Sequence, residues 1–467
     1  MAVHLHPSAY GQNDTTDASS STGNPDSGSS AVPDKYKLTP FLEAGFETIT
    51  APAVVSMRVS SNLQLIVDQF DYQDPWLQGP FFTGTWGGVR EALYDEGVQI
   101  AGGYIGNPYG NVSGGTREAF TWHHHVFLGL SLDMEKLIDV EGGSFFAAGR
   151  WRGGGVLSEE IGINGLFEPT AFFGSEGWRL NNVFYQQEFL DGDFVVRAGR
   201  LIACNEFAVI PITFLFINDA LDANIVGISE NVPFATGNSA WGMMVWGYPV
   251  EDLYIQAGVY HDPPSSGAEY RAGLDFGIDL DRDGYLFLSE IGWDPDDIMG
   301  NLPGSYVLGG YLYGSETLVN FNTGNSIDST WGIYGYATQM VYSETETVDQ
   351  QGLSLFVSAS GAPSDENPLD FYLSAGAVYV GLIPGRETDQ FGVALAYANY
   401  SDDFDAFTRA TTGGAGFGQQ TVIEVTYAIG ITPWFVIQPD FQYFFDPASN
   451  GTVPDTAVIG GQVAIAF

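Results

Sequence analysis

The sequence predicts an all-β protein, a transmembrane antiparallel β-barrel of about 16 strands with a short N-terminal helix. Three observations predict it. From about residue 98 onward, apolar residues recur with a period of two, the signature of strands with one greasy face. Many of these runs are roughly ten to fifteen residues long, more than soluble strands usually need and right for a tilted membrane crossing. No uninterrupted apolar window of about 18 residues exists, so no helical span is available, and lipid admits only helices or closed barrels. The longest apolar run, FAVIPITFLFI at 207–217, is too short and contains Pro211.

Composition agrees. Of 467 residues, 45% are hydrophobic, 14% aromatic and 15% charged, against roughly 25% charged in soluble domains. The balance of 15 basic against 57 acidic residues gives a formal net charge of −42. That charge argues against nucleic acid, which demands a basic footprint. Cys204 is the single cysteine, so neither an intramolecular disulfide nor a cysteine-based metal site is available. The chain carries no Gly-x-Ser-x-Gly elbow, phosphate loop or His-Glu-x-x-His, and most of its carboxylates sit at turn positions; it is not expected to be an enzyme.

Residues 1–34 read as a signal remnant and a disordered linker. The start lacks a basic and an apolar region, and Ala9-Tyr10-Gly11 has the small-x-small look of a cleavage site, so the signal peptide is expected to be truncated here. Residues 12–34 are Ser-, Gly- and Asp-rich. Residues 35–80 form an N-terminal segment, partly helical and interrupted by Pro52, with no role assigned. Residues 81–467 form the barrel. The run WGGVREALYDE at 86–96, closed by Gly97, reads as a short helix with its glycine stop. Seventeen candidate strands follow, near 98–108, 119–134, 143–153, 178–190, 193–203, 239–247, 253–263, 269–280, 284–294, 304–316, 329–342, 352–362, 369–382, 390–402, 417–431, 434–446 and 455–467. A bacterial single-chain barrel needs an even number, so one of them is in excess and sixteen are expected.

The alternation aims individual side chains. In TWHHHVFLGLSLDM, Val126, Leu128, Leu130 and Leu132 form the lipid face and Trp122 lies near the membrane interface. His123 and His125 then face inward and His124 outward. With no third ligand nearby, the two inward histidines read as lumen lining rather than a metal site. In SFFAAGRWRGG, Phe145, Ala147 and Trp151 point outward, Arg150 and Arg152 inward. Among only twelve arginines, that pair is either charge balance in an acidic barrel or a donor pair in the pore. Arg197 and Arg200 have opposite parity, so at most one of them faces the lumen. Residues 279–290, DLDRDGYLFLSE, match the calcium-loop pattern with Asp279, Asp281, Asp283, Gly284 and Glu290 in place. The flanks alternate as strands, so an Asp-rich hairpin tip is the expected reading and adventitious Ca²⁺ the remaining one; no cofactor is expected otherwise.

The segment FFTGTWGGVREALYDEGVQIAGGYIGNPYGNVSGG resembles the opening signature of the OprB-type carbohydrate-selective porins: Thr-Gly-x-Trp-Gly-Gly-x-Arg, a short helix ending in Gly, a strand and an Asn-x-x-Gly-Gly turn. LDMEKLIDVEGGSFFAAG, FVVRAGRLIACNEFA, DGYLFLSEIGW, GLIPGRETDQFGVALAYANYS and TVIEVTYAIGITPWFVIQPDFQYFFDP follow in order. The run Gln438–Tyr443 is the most specific of these, and the resemblance covers roughly residues 80–467. It implies a bacterial outer-membrane channel passing small neutral sugars by diffusion. It also implies that the alternating last strand ending in Phe467 is read by the outer-membrane assembly machinery. Outer-membrane lipid is the other expected partner, nucleic acid is not, and monomer and homo-oligomer both stay open.

In that family a long loop narrows the lumen, and residues 203–238 fit such a loop. They offer Asn205, Glu206, Asn218 and Asp219 as polar groups and Phe207, Phe214 and Phe216 as aromatics. Residues 154–177 are a second loop able to fold inward. The narrowing is expected to hold Arg150, Arg152, Asn205 and Glu206, with Trp178 or Arg179 beside them. Two other readings stand beside the sugar-preferring channel: a general, cation-leaning porin, and a non-conducting envelope anchor or receptor plugged by residues 35–80.

Overall fold

The computed structural model of the chain describes residues 76–163, 166–172, 176–234, 239–262, 277, 284–296, 298, 300, 302–344 and 351–467. A 3₁₀ turn, Trp86–Gly88, leads into helix α1, Val89–Asp95. The helix is closed as expected by Gly97, whose φ of +85° falls in the left-handed region that favours glycine. Sixteen strands follow: β1 Val98–Ser113, β2 Phe120–Asp133, β3 Gly143–Gly154, β4 Gly177–Phe189, β5 Phe194–Leu201, β6 Ala240–Val250, β7 Leu253–Asp262 and β8 Gly284–Trp293. The second half comprises β9 Gly304–Gly314, β10 Ser329–Ser343, β11 Gly352–Gly361, β12 Leu369–Val380, β13 Gln390–Tyr400, β14 Gln419–Thr432, β15 Phe435–Phe445 and β16 Thr456–Ala466. Each pairs antiparallel with its sequence neighbour, and β1 pairs with β16 to close the ring.

The excess candidate strand, 269–280, lies outside the described residues apart from Gly277. β7 pairs directly with β8, so the ring closes without it. Segment 35–75, the body of the proposed plug, also lies outside them.

One end of the barrel has the tightest turns, at 190–193, 251–252 and 433–434, and the other end has the longest connections, those between β3 and β4 and between β5 and β6. In an outer-membrane barrel the short turns are periplasmic and the long loops extracellular. Described helices are short and none is long and apolar enough to cross a membrane.

Side chains sort as the alternation requires. In β15, Phe435, Ile437, Phe441 and Phe445 face outward, while Val436, Gln438, Asp440 and Gln442 are buried inside. On β2, His123 and His125 are buried in the interior and Trp122 and Leu128 are exposed outside. His124 lies on the outer face, stacked on Trp151 at 5.0 Å. A charge on this outer band would cost about 2–4 kcal/mol at the midplane, so the polar residues of each strand collect inside.

Two irregularities shift that parity. Between β3 and β4, Ala148 pairs with Asn182 and Gly149 with Leu180, leaving Asn181 as an extra residue. Arg179 therefore faces inward together with Asn182, Phe184 and Gln186, although their numbers differ in parity. Such a bulge re-aims a side chain at the cost of one unpaired residue. On β5, Gly199 has φ +149°, and an added Cβ would sit 2.3 Å from the Val183 carbonyl oxygen. That position admits glycine only, and it lets both Arg197 and Arg200 be buried despite their spacing.

Candidate functional site

The long loop between β5 and β6 folds into the barrel. Its described part contains two 3₁₀ turns, Ala203–Asn205 and Pro211–Leu215, and the short helix α4, Val226–Ser229; in chain order α2 is Met134–Ile138 and α3 is Leu157–Ile161. The run that looked too short to span a membrane is what fills the lumen. Phe207, Phe214, Leu215, Phe216 and Ile217 are all buried against the barrel wall. Phe207 meets Tyr260 of β7 edge-on at 6.2 Å, and Phe216 meets Phe356 of β11 at 5.8 Å. These rings were expected to line a passage, and the structure corrects that. An apolar turn folded into a barrel is stabilised by facing the wall, not water.

Burying a loop leaves its backbone in need of partners, and the wall supplies them. The Glu424 carboxylate of β14 accepts the Ile217 N–H at 2.6 Å and the Asn218 N–H at 3.1 Å. Glu290 of β8 accepts the Ala208 N–H and a bond from Gln256 of β7. Gln438 Nε2 donates to the Leu215 carbonyl at 2.6 Å, and Asn218 Nδ2 donates to Gln442 at 2.9 Å. Asn231 and Leu369 of β12 exchange two hydrogen bonds. The loop is thus fastened from β7 round to β15.

The most buried fastening is ionic. Arg197 and Glu206 form an ion pair at 2.5 Å, both side chains almost wholly out of solvent. Gln186 accepts from Arg197 Nε and Nη2 at 3.1 and 2.7 Å, and the guanidinium lies 4.5 Å from the Phe184 ring centroid and 5.2 Å from that of Trp246. Glu206 was expected at the narrowing. Instead its side chain is buried and paired with Arg197, which faces inward from β5. Asn218 is likewise a fastening, 0% exposed.

The loop between β3 and β4 also enters the barrel. Leu166 N–H donates to Gln420 of β14, and Gln442 Nε2 donates to the Pro169 carbonyl at 2.9 Å. The two loops join each other: Ala171 N–H donates to the Ile217 carbonyl at 2.9 Å and Asp219 N–H to the Glu168 carbonyl at 3.0 Å. Together they make one partition.

The edge of that partition that keeps solvent contact carries Cys204, Asn205, Asp219, Asp222 and Asn224. Near it are the inward arginines, Arg150 close enough for its charge to act on Cys204. Arg150 and Arg179 are register partners on β3 and β4, and Arg152 lies one inward step along. Burial pushes the Cys204 thiol up to about 12, the Arg150 charge opposes the shift, and Asp219 and Glu206 reinforce it. Arg200 belongs elsewhere, bonded to Ser239 at the start of β6.

Trp178, expected beside the arginines, is 51% exposed on the outer face, opposite Trp151 and over Gly149. Arg179, its neighbour, is the one that turns in. Glu290, the last position of the calcium-loop pattern, is engaged with Ala208 and Gln256 inside the barrel. Asp279, Asp281 and Asp283 lie outside the described residues.

The partition's own carboxyls resist ionisation. Burial raises Glu168 to about 7, with Glu159 and Glu230 adding to the shift and a hydrogen bond from Ser158 opposing it. Burial also raises Asp219 well above the usual range, reinforced by Glu168, Glu230 and Asp222. Groups bound more tightly to their protons in the folded state stabilise the loops most at low pH. That contribution falls as pH rises from about 4.5 through 7. Charging them also makes the passage more negative. Reversal potentials in a KCl gradient should therefore show K⁺ preference over Cl⁻ increasing between pH 5.5 and 8, and a flat profile would refute this placement.

Comparison with known proteins agrees with this architecture. The family model described as "Carbohydrate-selective porin, OprB family" matches residues 117–467. Porin B of Pseudomonas aeruginosa is 26% identical over 417 residues, covering 82% of this chain and 90% of the relative. The putative porin QuiX of Acinetobacter baylyi is 23% identical over 445 residues, covering 89% and 98%. The high-pH structure of Pseudomonas putida OprB superposes with a TM-score of 0.76 at 25% identity, covering 84% of this chain and 99% of that one.

Proposed function

The chain belongs to the OprB family of carbohydrate-selective porins, as a sugar-preferring channel of the bacterial outer membrane, and from that premise we propose where its solutes pass. The path runs between the arginine row, Arg150, Arg152 and Arg179, and the polar edge of the partition, Asn205, Asp219, Asp222 and Asn224. The observation that carries this reading is the division of the interior. The loop's fastenings Glu206, Asn218, Glu290 and Glu424 are buried, whereas Asn205, Asp219, Asp222 and Asn224 on its edge and Arg150 on β3 keep some solvent contact, with Arg152 and Arg179 buried next to Arg150.

The chemistry suits sugars. Guanidinium groups donate to hydroxyl oxygens, and carboxylates and carboxamide oxygens accept from hydroxyl hydrogens. A hydroxyl-rich neutral solute can satisfy both walls at once. An inorganic ion satisfies one and is opposed by the other. No single contact needs to be strong, and a channel works only if binding is weak enough for release.

Swelling of vesicles carrying the full chain tests this. Neutral mono- and disaccharides should enter faster than sugar acids of equal size. An Asp222→Asn variant should narrow that difference. Equal entry rates for all of them would leave a general porin of the same fold.

A further inference from the structure

Beyond the barrel wall, the chain places a second apolar surface at the periplasmic end. Trp76, Leu77, Phe82, Trp86 and Val89 are 52%, 58%, 46%, 38% and 53% exposed. They lie within fourteen consecutive positions of the arm that leads into β1. The arm is fixed to the barrel and is not a loose tail. Phe82 N–H donates to the Ala466 carbonyl at 2.8 Å, Phe81 is buried in the core, and Arg90 lies between the Phe81 and Trp86 rings at 3.6 and 4.2 Å.

Water alone makes so much exposed aromatic surface costly, and two features suit it to lipid instead. The first is continuity. Trp76 packs on Trp434 with the rings tilted and their centroids 5.0 Å apart, and Trp434 stacks on Phe435 at 6.0 Å. Phe435 begins the outward row Phe435, Ile437 and Phe441 that faces the bilayer. The second is hydrogen-bond satisfaction. Trp76 Nε1 donates to the Phe82 carbonyl at 2.7 Å and Trp434 Nε1 to the Trp76 carbonyl at 3.1 Å. Both indoles can therefore sit at the boundary of acyl chains and headgroups with no polar group stranded, which is where Trp gathers in membrane proteins. Leu190, Leu382 and Ile383, in other periplasmic turns, are exposed at the same end.

We infer that the arm from Trp76 to Val89 is a membrane contact of its own, seated in the phospholipid of the periplasmic leaflet and extending the barrel's lipid belt below its last ladder. The occupant is phospholipid rather than a second copy of the chain because the surface runs unbroken into the lipid-facing row. The reading rests on the outer-membrane location but not on sugar selectivity.

The full chain with Leu77→Cys, labelled with a nitrobenzoxadiazole dye and reconstituted in phosphatidylcholine vesicles, tests it. Unsubstituted protein carried through the same labelling corrects for reaction at Cys204. Lipid bearing a doxyl group near the headgroup should quench the dye at least twofold more than aqueous iodide does. Adding Trp76→Ser and Phe82→Ser should reverse that order, with the heat-dependent gel shift of the barrel confirming that the variant is folded. Dominant iodide quenching in the Leu77→Cys protein would overturn the proposal. So would protection from both quenchers, which would mean that protein covers the arm. Sugar flux in the same vesicles reports separately on the channel reading.

Discussion

Arg197→Ala is expected to loosen the lumen loop and raise single-channel conductance. The substitution leaves the Glu206 carboxylate buried without its cation, a loss of about 3–5 kcal/mol in such settings. It also removes the guanidinium near the Phe184 and Trp246 rings and takes both of Arg197's donors from Gln186 Oε1. The loop's other named bonds to the barrel wall lie at β7 and beyond, so the end nearest β5 should open first. Conductance should rise and fluctuate, and protease added outside should cut within 203–234. The combination Arg197→Met, Glu206→Leu removes both charges while keeping bulk, and should restore a quiet channel. A single Arg197→Ala variant with unchanged conductance and unchanged protease resistance would mean that the ion pair does not hold the loop.

Glu424→Ala acts midway along the same loop. It leaves the Ile217 and Asn218 N–H groups buried without an acceptor, each loss worth about 1–3 kcal/mol. Ile217 also ties this loop to the β3–β4 loop through Ala171, so both halves of the partition should feel the change. Amide exchange at 217 and 218 should accelerate by roughly ten- to a hundredfold, with a smaller effect at 171. Glu424→Gln keeps one acceptor oxygen and should fall between. Exchange at these amides as slow as in the unsubstituted protein would show that another group carries the loop.

How far these sites could be read in advance depends on what each one obeys. Strand positions obey a local rule, the period of two, and sixteen of the seventeen candidates match observed strands to within a few residues. Arg150, Arg152, His123 and His125 were aimed by the same rule. Trp178 and Arg179 could not be separated by it, because the extra residue Asn181 resets the parity and nothing in GWRLNNVF announces a bulge. Glu206 was misplaced for a different reason. A carboxylate in an inward loop can face the passage or the wall, and the choice is made by Arg197 from another segment. The receptors of the loop were equally hidden, since Glu290 was read as part of a calcium pattern and nothing in the strand pattern singled out Glu424. One signal was present and not interpreted: Gln438, Asp440 and Gln442 are polar residues at every second position of one strand. They form the wall that receives both loops, with Asp440 accepting from Tyr109 at 3.0 Å.

The central claim is that sugars pass between the arginine row and the partition's edge. Single-channel conductance of the full chain in a planar bilayer, titrated with maltose, tests it most directly when compared with an Arg150→Ala, Arg152→Ala variant. The account predicts saturable block in the unsubstituted channel and, in the variant, block that needs roughly tenfold more sugar, the loss of about 1.4 kcal/mol of binding. Block of equal strength in both proteins would contradict it, because the sugar would then be held somewhere the arginines do not reach.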